Sequence, residues 1–462
     1  MGPQPNPLRP ELPPVWRMAD NPGEAILRAE AEAVALENAE LRDRYRALNE
    51  LEEQQQERRG VTRRTFFAGV AATMTALATS QFVAARAAFG AAPGGTLIHV
   101  FLYGGLDGLA LIAPATDDDY LRKHRPDLVL PDEGSIPIDR NFKLTGAFAP
   151  LKPMLDSGQL AFIPGVADPR LSRSHFQAQD ACNLGGLPAE TGGRGFLDVL
   201  LDKLGPGTTF RSIGIGTTLP LSLVGRNPSL AFHTVESIRL NGDRRFREPT
   251  AAAIRELFTG IDHPLEEVVA SGLAALAQAQ QLSATPYQPA EGVTYSGPVG
   301  NAFKELAMLI KRGANVRVAT VGTGGYDTHE NEEPHEGGYL YRKLADLATN
   351  LAMFYTDLGE HGNDVTVMIS TEFGRRVAQT GSGTDHGHGG PVILLTGRNQ
   401  RFRSSLLGTW GGLDSLVRGD IPEFNNMFDV FGSVIKARFD LGDGEVASLF
   451  PNHTFTPMQL FA

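Results

Sequence analysis

Four apolar runs stand out along the later part of the chain, at residues 97–102, 160–166, 316–321 and 365–369. Each is too short for a buried helix, is rich in β-branched or aromatic residues, and ends in a glycine-rich or polar loop. Each is therefore predicted to be a strand buried on both faces. Between the last two, Leu340, Leu344, Leu347, Leu351 and Phe354 keep three-and-four spacing within 338–358, which makes this stretch a strand-helix-strand unit. A further strand is expected at 392–395. The middle differs: 251–258, 264–281 and 302–311 read as helices separated by Pro- and Gly-rich linkers. They are expected to form a helical insertion, at about 240–313, in one α/β domain covering 88–462.

The first part of the chain follows other patterns. Residues 1–22 are rich in proline and are expected to lack order. Leu27, Val34, Leu41 and Leu48 then recur every seven residues amid Glu and Arg, a narrow apolar seam suited either to a short coiled coil or to a solvated helix. This extension, 1–61, precedes Thr62-Arg63-Arg64-Thr65-Phe66-Phe67, an Ala-rich apolar run at 68–78, and Ala85-Arg86-Ala87. Paired arginines, apolar core and small-x-small cleavage site occur in the order of a twin-arginine export signal, assigned here to 62–87. The apolar run is too short and too rich in Ala and Thr to make a stable membrane span. The twin-arginine machinery is thus an expected partner, and the periplasm or the exterior the expected destination.

Composition narrows the function. Of 462 residues, 42% are hydrophobic and 21% charged, ordinary values for a globular chain. The formal net charge of −11 and the absence of a Lys/Arg stripe argue against nucleic-acid binding. The single cysteine, Cys182, excludes an internal disulfide and reads as a small buried hydrophobe. Ile213-Gly214-Ile215-Gly216 lacks the third glycine of a dinucleotide fingerprint. No Gly-x-Ser-x-Gly elbow or phosphate-cradling Gly-Lys-Thr loop is present.

Chemistry-bearing residues fall repeatedly where predicted strands end. Asp107 follows the first strand, Asp327 and His329 follow the 316–321 strand, and Glu372 follows the 365–369 strand. Asp385-His386-Gly387-His388-Gly389-Gly390 precedes the last strand, its glycines letting the backbone curl so that His386 and His388 face one point. Ligands of open α/β sheets gather at the carboxyl ends of the strands. A mixed Asp, Glu and His set suits one or two divalent ions, Zn²⁺ or Mn²⁺. After the 160–166 strand, Ser172-Arg173-Ser174-His175-Phe176-Gln177 opens a helix. Ser174 is either an activated nucleophile at the helix start or, with Gln177, a capping box; Arg173 is placed to steady an anionic substrate.

Together the segments LIHVFLYGGLDG, SRSHFQAQD, GYDTHEN, STEFGR and DHGHGG resemble the exported family known as domain of unknown function 1501, placed in the alkaline phosphatase and sulfatase superfamily. The likeness runs from about Leu97 to the C-terminus. It implies a doubly wound, mostly parallel sheet of alkaline-phosphatase-like type and a hydrolytic site with one or two metal ions. By position, Asp107 looks like the first-strand metal contact, Ser174 the nucleophile, Asp327 and His329 a ligand pair, Glu372 a residue standing where Asp is usual, and His388 or His386 the late histidine. Phe373 departs from the pattern, standing where a His ligand is usual, and the Cys- or Ser-x-Pro-x-Arg motif of sulfatases is missing.

The resulting expectation is an exported metal-dependent hydrolase of phosphate or sulfate esters, acting on an anionic small molecule or polymer. The rival is a catalytically silent scaffold on the same fold, which Phe373 favours. A solute-binding module would need two similar lobes around a hinge, and the helical middle segment speaks against it.

Overall fold

The computed structural model describes residues 95–462 except Gly242 and Asp262. The expected N-terminal extension (1–61) and the export signal (62–87) lie outside the described residues. Two compact units are formed: one comprises Ile238–Ala277 among the described residues, the other runs from residue 95 to Ser237 and from Gln278 to Ala462.

The small unit is helical. Asp243 caps the helix Arg244–Phe258, its carboxylate accepting from the Arg245 amide at 3.0 Å. Ile254 and Phe258 on that helix share an apolar cluster with Leu240, Ile261, Val269 and Leu273. The helix Gly297–Lys311, read in the sequence as part of the same insertion, belongs to the large unit. There its Phe303 meets Phe354 of the helix Tyr339–Leu358, with ring centroids 5.1 Å apart.

The large unit is an α/β fold. Its strands, in chain order, are β1 (Thr96–Leu102), β2 (Ile112–Pro114), β3 (Ile136–Ile138), β4 (Phe142–Leu144), β5 (Leu160–Ala167), β6 (Ser212–Ile215) and β7 (Leu230–Phe232). They continue with β8 (Val318–Thr323), β9 (Val365–Thr371), β10 (Arg375–Thr380), β11 (Gly383–His386), β12 (Gly390–Thr396) and β13 (Asn425–Asn426). The main sheet has eight strands in the order β13-β5-β12-β9-β1-β8-β6-β7 and is mixed but mostly parallel. A small antiparallel sheet has the order β2-β4-β3, and β10 and β11 form a hairpin. The apolar runs are the sheet's middle: every residue of β1, β5, β9 and β12 is buried. Continuous hydrophobicity is what a strand covered on both faces requires. Gly214, in the failed dinucleotide motif, lies within β6; a Cβ there would meet the Pro220 ring at 2.7 Å, so packing accounts for the glycine.

Strand direction decides where the chemistry collects. β1 is parallel to β8 and β9, so the loops after all three leave from one edge of the sheet. β12 is antiparallel to β9, so its beginning lies at that same edge and brings 386–389 there. β5 is antiparallel to β12 and hence parallel to β9, so the segment after it, which carries Ser174 and His175, arrives at the same edge. The carboxyl edge of an open sheet around a strand flanked by crossovers in both directions is where ligands bind.

Candidate metal centre

Local geometry fixes each contributing side chain. Ser174, with φ −90° and ψ 123°, is the extended residue before the helix His175–Leu184 and makes no side-chain capping bond, so the Ser174–Gln177 capping box is not formed. His175 is therefore the first helical residue and points from a fixed helix start. The hairpin pairs Arg375 of β10 with His386 of β11. Arg375 is fully buried, and its guanidinium donates to Gly105 O and Thr384 O at 2.7 Å each, to Gly104 O, to Tyr326 O at 3.2 Å and to Asp327 Oδ1 at 2.5 Å. One side chain thus ties the loop after β1, the loop after β8 and the hairpin together.

Asp327 is the centre of convergence. His175 Nε2 lies 3.4 Å from Asp327 Oδ2, while His386 Nε2 lies 3.2 Å and His329 Nε2 3.1 Å from Asp327 Oδ1. The ligand atoms of His175, Asp327 and His386 all lie within 4.8 Å of one another. Behind the imidazoles stand acceptors. His175 Nδ1 meets Glu372 Oε1 at 2.8 Å, His386 Nδ1 meets Arg173 O at 2.9 Å, and His329 Nδ1 faces Asp385 Oδ1 at 3.3 Å. An acceptor behind Nδ1 holds the proton there and leaves the Nε2 lone pair free, the arrangement that orients histidines for a metal. His175 Nε2 is buried and has no hydrogen-bond partner, and His386 Nε2 and His329 Nε2 stand only 2.9 Å apart. Two imidazoles and a carboxylate with an open side fit a divalent ion of the zinc type, with His329 as a further donor at the rim.

The electrostatics agree with this fit. Burial works to raise the Asp327 carboxyl, but the hydrogen bond and charge of Arg375 oppose it, and the carboxyl is held below the usual range. Burial lowers His386, favouring the neutral imidazole that a metal needs. Glu372, which was expected to ligate, instead stands behind His175: fully buried, it also accepts from the Gly104 amide at 2.9 Å and from Gln179 Nε2 at 2.8 Å.

The other sequence candidates are placed elsewhere or in other roles. Asp107 is outside the converging group. It is buried and forms an ion pair with the Arg125 guanidinium, and its Oδ1 accepts from the Leu109 amide at 3.1 Å. Arg125 holds Asp107 low despite burial, whereas burial and the neighbouring Asp107 push Glu332 well above the ordinary carboxyl range. His388 Nε2 pairs with Glu423 at 3.0 Å, so the late histidine of the group is His386. The Arg173 guanidinium pairs with Asp420, and the Ser174 side chain is exposed. Phe373 is buried and packs on both His175 and His386, with centroids 4.9 and 4.7 Å away, forming a wall of the site. His175 was not singled out as a ligand in the sequence. Its signal was present in the motif with Ser174, but a hydroxyl at a helix start drew the chemical assignment instead.

Among the described residues no helix is long and apolar enough to cross a membrane. No curated protein matches the sequence. Among solved structures, the chain is similar to a protein in the alkaline phosphatase superfamily from Vibrio parahaemolyticus, with 11% identity and a TM-score of 0.36 over 82% of this chain and 76% of that one. It is similar also to the lipoteichoic acid synthase LtaP from Listeria monocytogenes, with 11% identity and a TM-score of 0.32 over 77% and 81% of the two chains. The PsFucS1 sulfatase from Pseudoalteromonas sp. gives 9% identity and a TM-score of 0.31 over 79% and 75%. These likenesses are distant and transfer no residue role. The family model described as protein of unknown function (DUF1501) matches residues 169–399, from the approach to His175 through Asp327 and Glu372 to the end of β12, and the chain belongs to that family.

Proposed function

We propose that this protein is an exported, metal-dependent hydrolase of phosphate or sulfate esters, with a divalent ion such as Zn²⁺ or Mn²⁺ held by His175, Asp327 and His386. The observation that carries this reading is the buried, unpartnered Nε2 of His175, fixed by Glu372 and directed at Asp327 beside the His386 imidazole. Bound there, the ion would polarise an ester oxygen and offset the charge developing on it. This chain's own residues divide the remaining work. Glu372 and the Arg173 carbonyl keep the ligand imidazoles in one tautomer, and Arg375 keeps Asp327 ionised and in place. The exposed, uncapped Ser174 hydroxyl, at the positive end of a helix and adjacent to His175, is the nucleophile in this proposal. The Arg173 guanidinium, on the preceding residue, is paired with Asp420 but remains partly exposed, and in this proposal it steadies an anionic substrate from within that pair.

Full-length protein expressed with its export signal and loaded with Zn²⁺ or Mn²⁺ is expected to turn over members of a panel of phosphate and sulfate esters. His175→Ala should abolish both bound metal and turnover, and Ser174→Ala turnover alone. A metal-loaded protein inert across both ester classes, with Ser174→Ala indistinguishable from wild type, would remove the hydrolase. The silent-scaffold reading draws on Phe373, which closes one side of the site against both imidazoles, and on Arg375, which already neutralises Asp327. It predicts protein that leaves metal-replete cells with no bound ion.

A further inference from the structure

The sequence leaves the number of metal ions open, because Phe373 stands where a His ligand is usual while a further carboxylate, Asp107, follows the central strand. The structure surrounds that carboxylate. Arg125, which follows the helix Asp118–His124, turns its side chain entirely inward, and no part of it is exposed. Its Nη2 makes a close ion pair with Asp107 Oδ2, its Nη1 donates to Asp107 Oδ1 at 3.3 Å, and Nη2 also lies 3.6 Å from Glu332 Oε1. Glu332 is fully buried, and its other oxygen accepts from Thr328 Oγ1 at 3.1 Å and Thr384 Oγ1 at 2.7 Å.

We infer that Arg125 is the built-in cation of this carboxylate pair, so that the protein takes one metal ion, at His175, Asp327 and His386, and not two. The inference rests on the metal reading of those three residues and adds the count of ions. The buried, ionised Asp107 needs a positive charge beside it, and a guanidinium supplies one that does not deprotonate. It also occupies the space a second ion would need: both oxygens of Asp107 are engaged by Arg125, and Oδ1 by the Leu109 amide as well. The cluster offers oxygen donors only, without the imidazoles that favour Zn²⁺. Its placement gives it a second task. Thr328 is the residue after Asp327 and Thr384 stands two before His386, so Glu332 braces both ligand-bearing segments from behind. Arg125 Nε and Glu332 Oε1 are buried without hydrogen bonds, so between Arg125 and Glu332 the contact is one of charge, while Arg125 and Asp107 are also hydrogen-bonded.

The test is elemental analysis of the full-length protein, equilibrated with excess Zn²⁺ or, separately, Mn²⁺ and then freed of unbound ion. One ion per chain is expected in the wild type and in Asp107→Asn, and none in His175→Ala. Glu332→Gln preserves shape and keeps the Asp107–Arg125 pair, so it serves if Asp107→Asn does not fold; it too should retain one ion. Two ions in the wild type, falling to one in either carboxylate variant, would overturn the inference while leaving the His175 site intact. No ion in the wild type would instead remove the His175 site, and the count with it.

Discussion

A histidine's role here is set by what stands at each ring nitrogen. His175, His386 and His329 each have an oxygen behind Nδ1 and an Nε2 turned toward Asp327. His99, by contrast, lies in β1 with Nε2 spent on Ser370 Oγ at 2.8 Å and its ring against Phe101, Phe196 and Phe431. Burial pushes it down to about 4, so the folded protein keeps this ring neutral. The consequence for stability has a definite sign. Above the ordinary value near 6.5 neither state binds the proton. Below it the unfolded chain binds one and the folded chain does not, so stability falls as pH drops toward 4 and then levels off. The full difference is on the order of 3 kcal/mol. Denaturant titrations from pH 7 to pH 4 should show a steeper loss in wild type than in His99→Asn, and parallel curves would remove His99 as the cause. None of this was visible in the sequence, where a lone histidine in an apolar run carries no partner. The same blindness hid His175, whose ligand character depends on Glu372, almost two hundred residues away in the chain (|i−j| = 197).

Elements were legible in proportion to their burial. The apolar runs gave β1, β5, β8, β9 and β12 to within a few residues, and the spacing of Leu340, Leu344, Leu347, Leu351 and Phe354 gave the helix Tyr339–Leu358. The short strands β6 and β7 and the hairpin β10–β11 were missed, because the first pair is too brief and the hairpin too polar for periodicity to register. The hairpin matters most, since it turns a supposed loop at Asp385-His386 into a strand whose register aims His386. Close approach of loops does the rest. Gly104 has φ +125°, and a Cβ there would stand 2.3 Å from the Asp327 amide nitrogen. Gly104→Ala should therefore push the β1 loop off the Asp327 loop, at a cost of about 2 kcal/mol or more from strain and overpacking together. Because Asp327 is a ligand in the proposed site, metal affinity should weaken along with the melting temperature. A variant that melts normally and binds Zn²⁺ as tightly as wild type would show that the contact does not position the site.

At the scale of the molecule, the site exists only when the chain is folded, since His175, Asp327 and His386 come from segments after β5, after β8 and before β12. Strand directions were what the sequence could not supply: an antiparallel β12 inside a mostly parallel sheet is what brings the start of that strand, and not its end, to the ligand edge. A metal that binds N and not U is loaded most securely where the chain folds. A twin-arginine signal, read in Thr62-Arg63-Arg64-Thr65-Phe66-Phe67, would carry the protein out already folded and with its ion in place. Export and loading are then separable. Replacing both Arg63 and Arg64 by Lys should hold the protein inside the cell while leaving its metal content unchanged, as read by fractionation, immunoblotting and elemental analysis. The exported wild type should begin at Ala88, by N-terminal sequencing. Equal export of the Lys pair would remove the signal assignment. Retained protein that lacks metal would instead mean that the ion is acquired after crossing the membrane and that loading does not require folding in the cytoplasm.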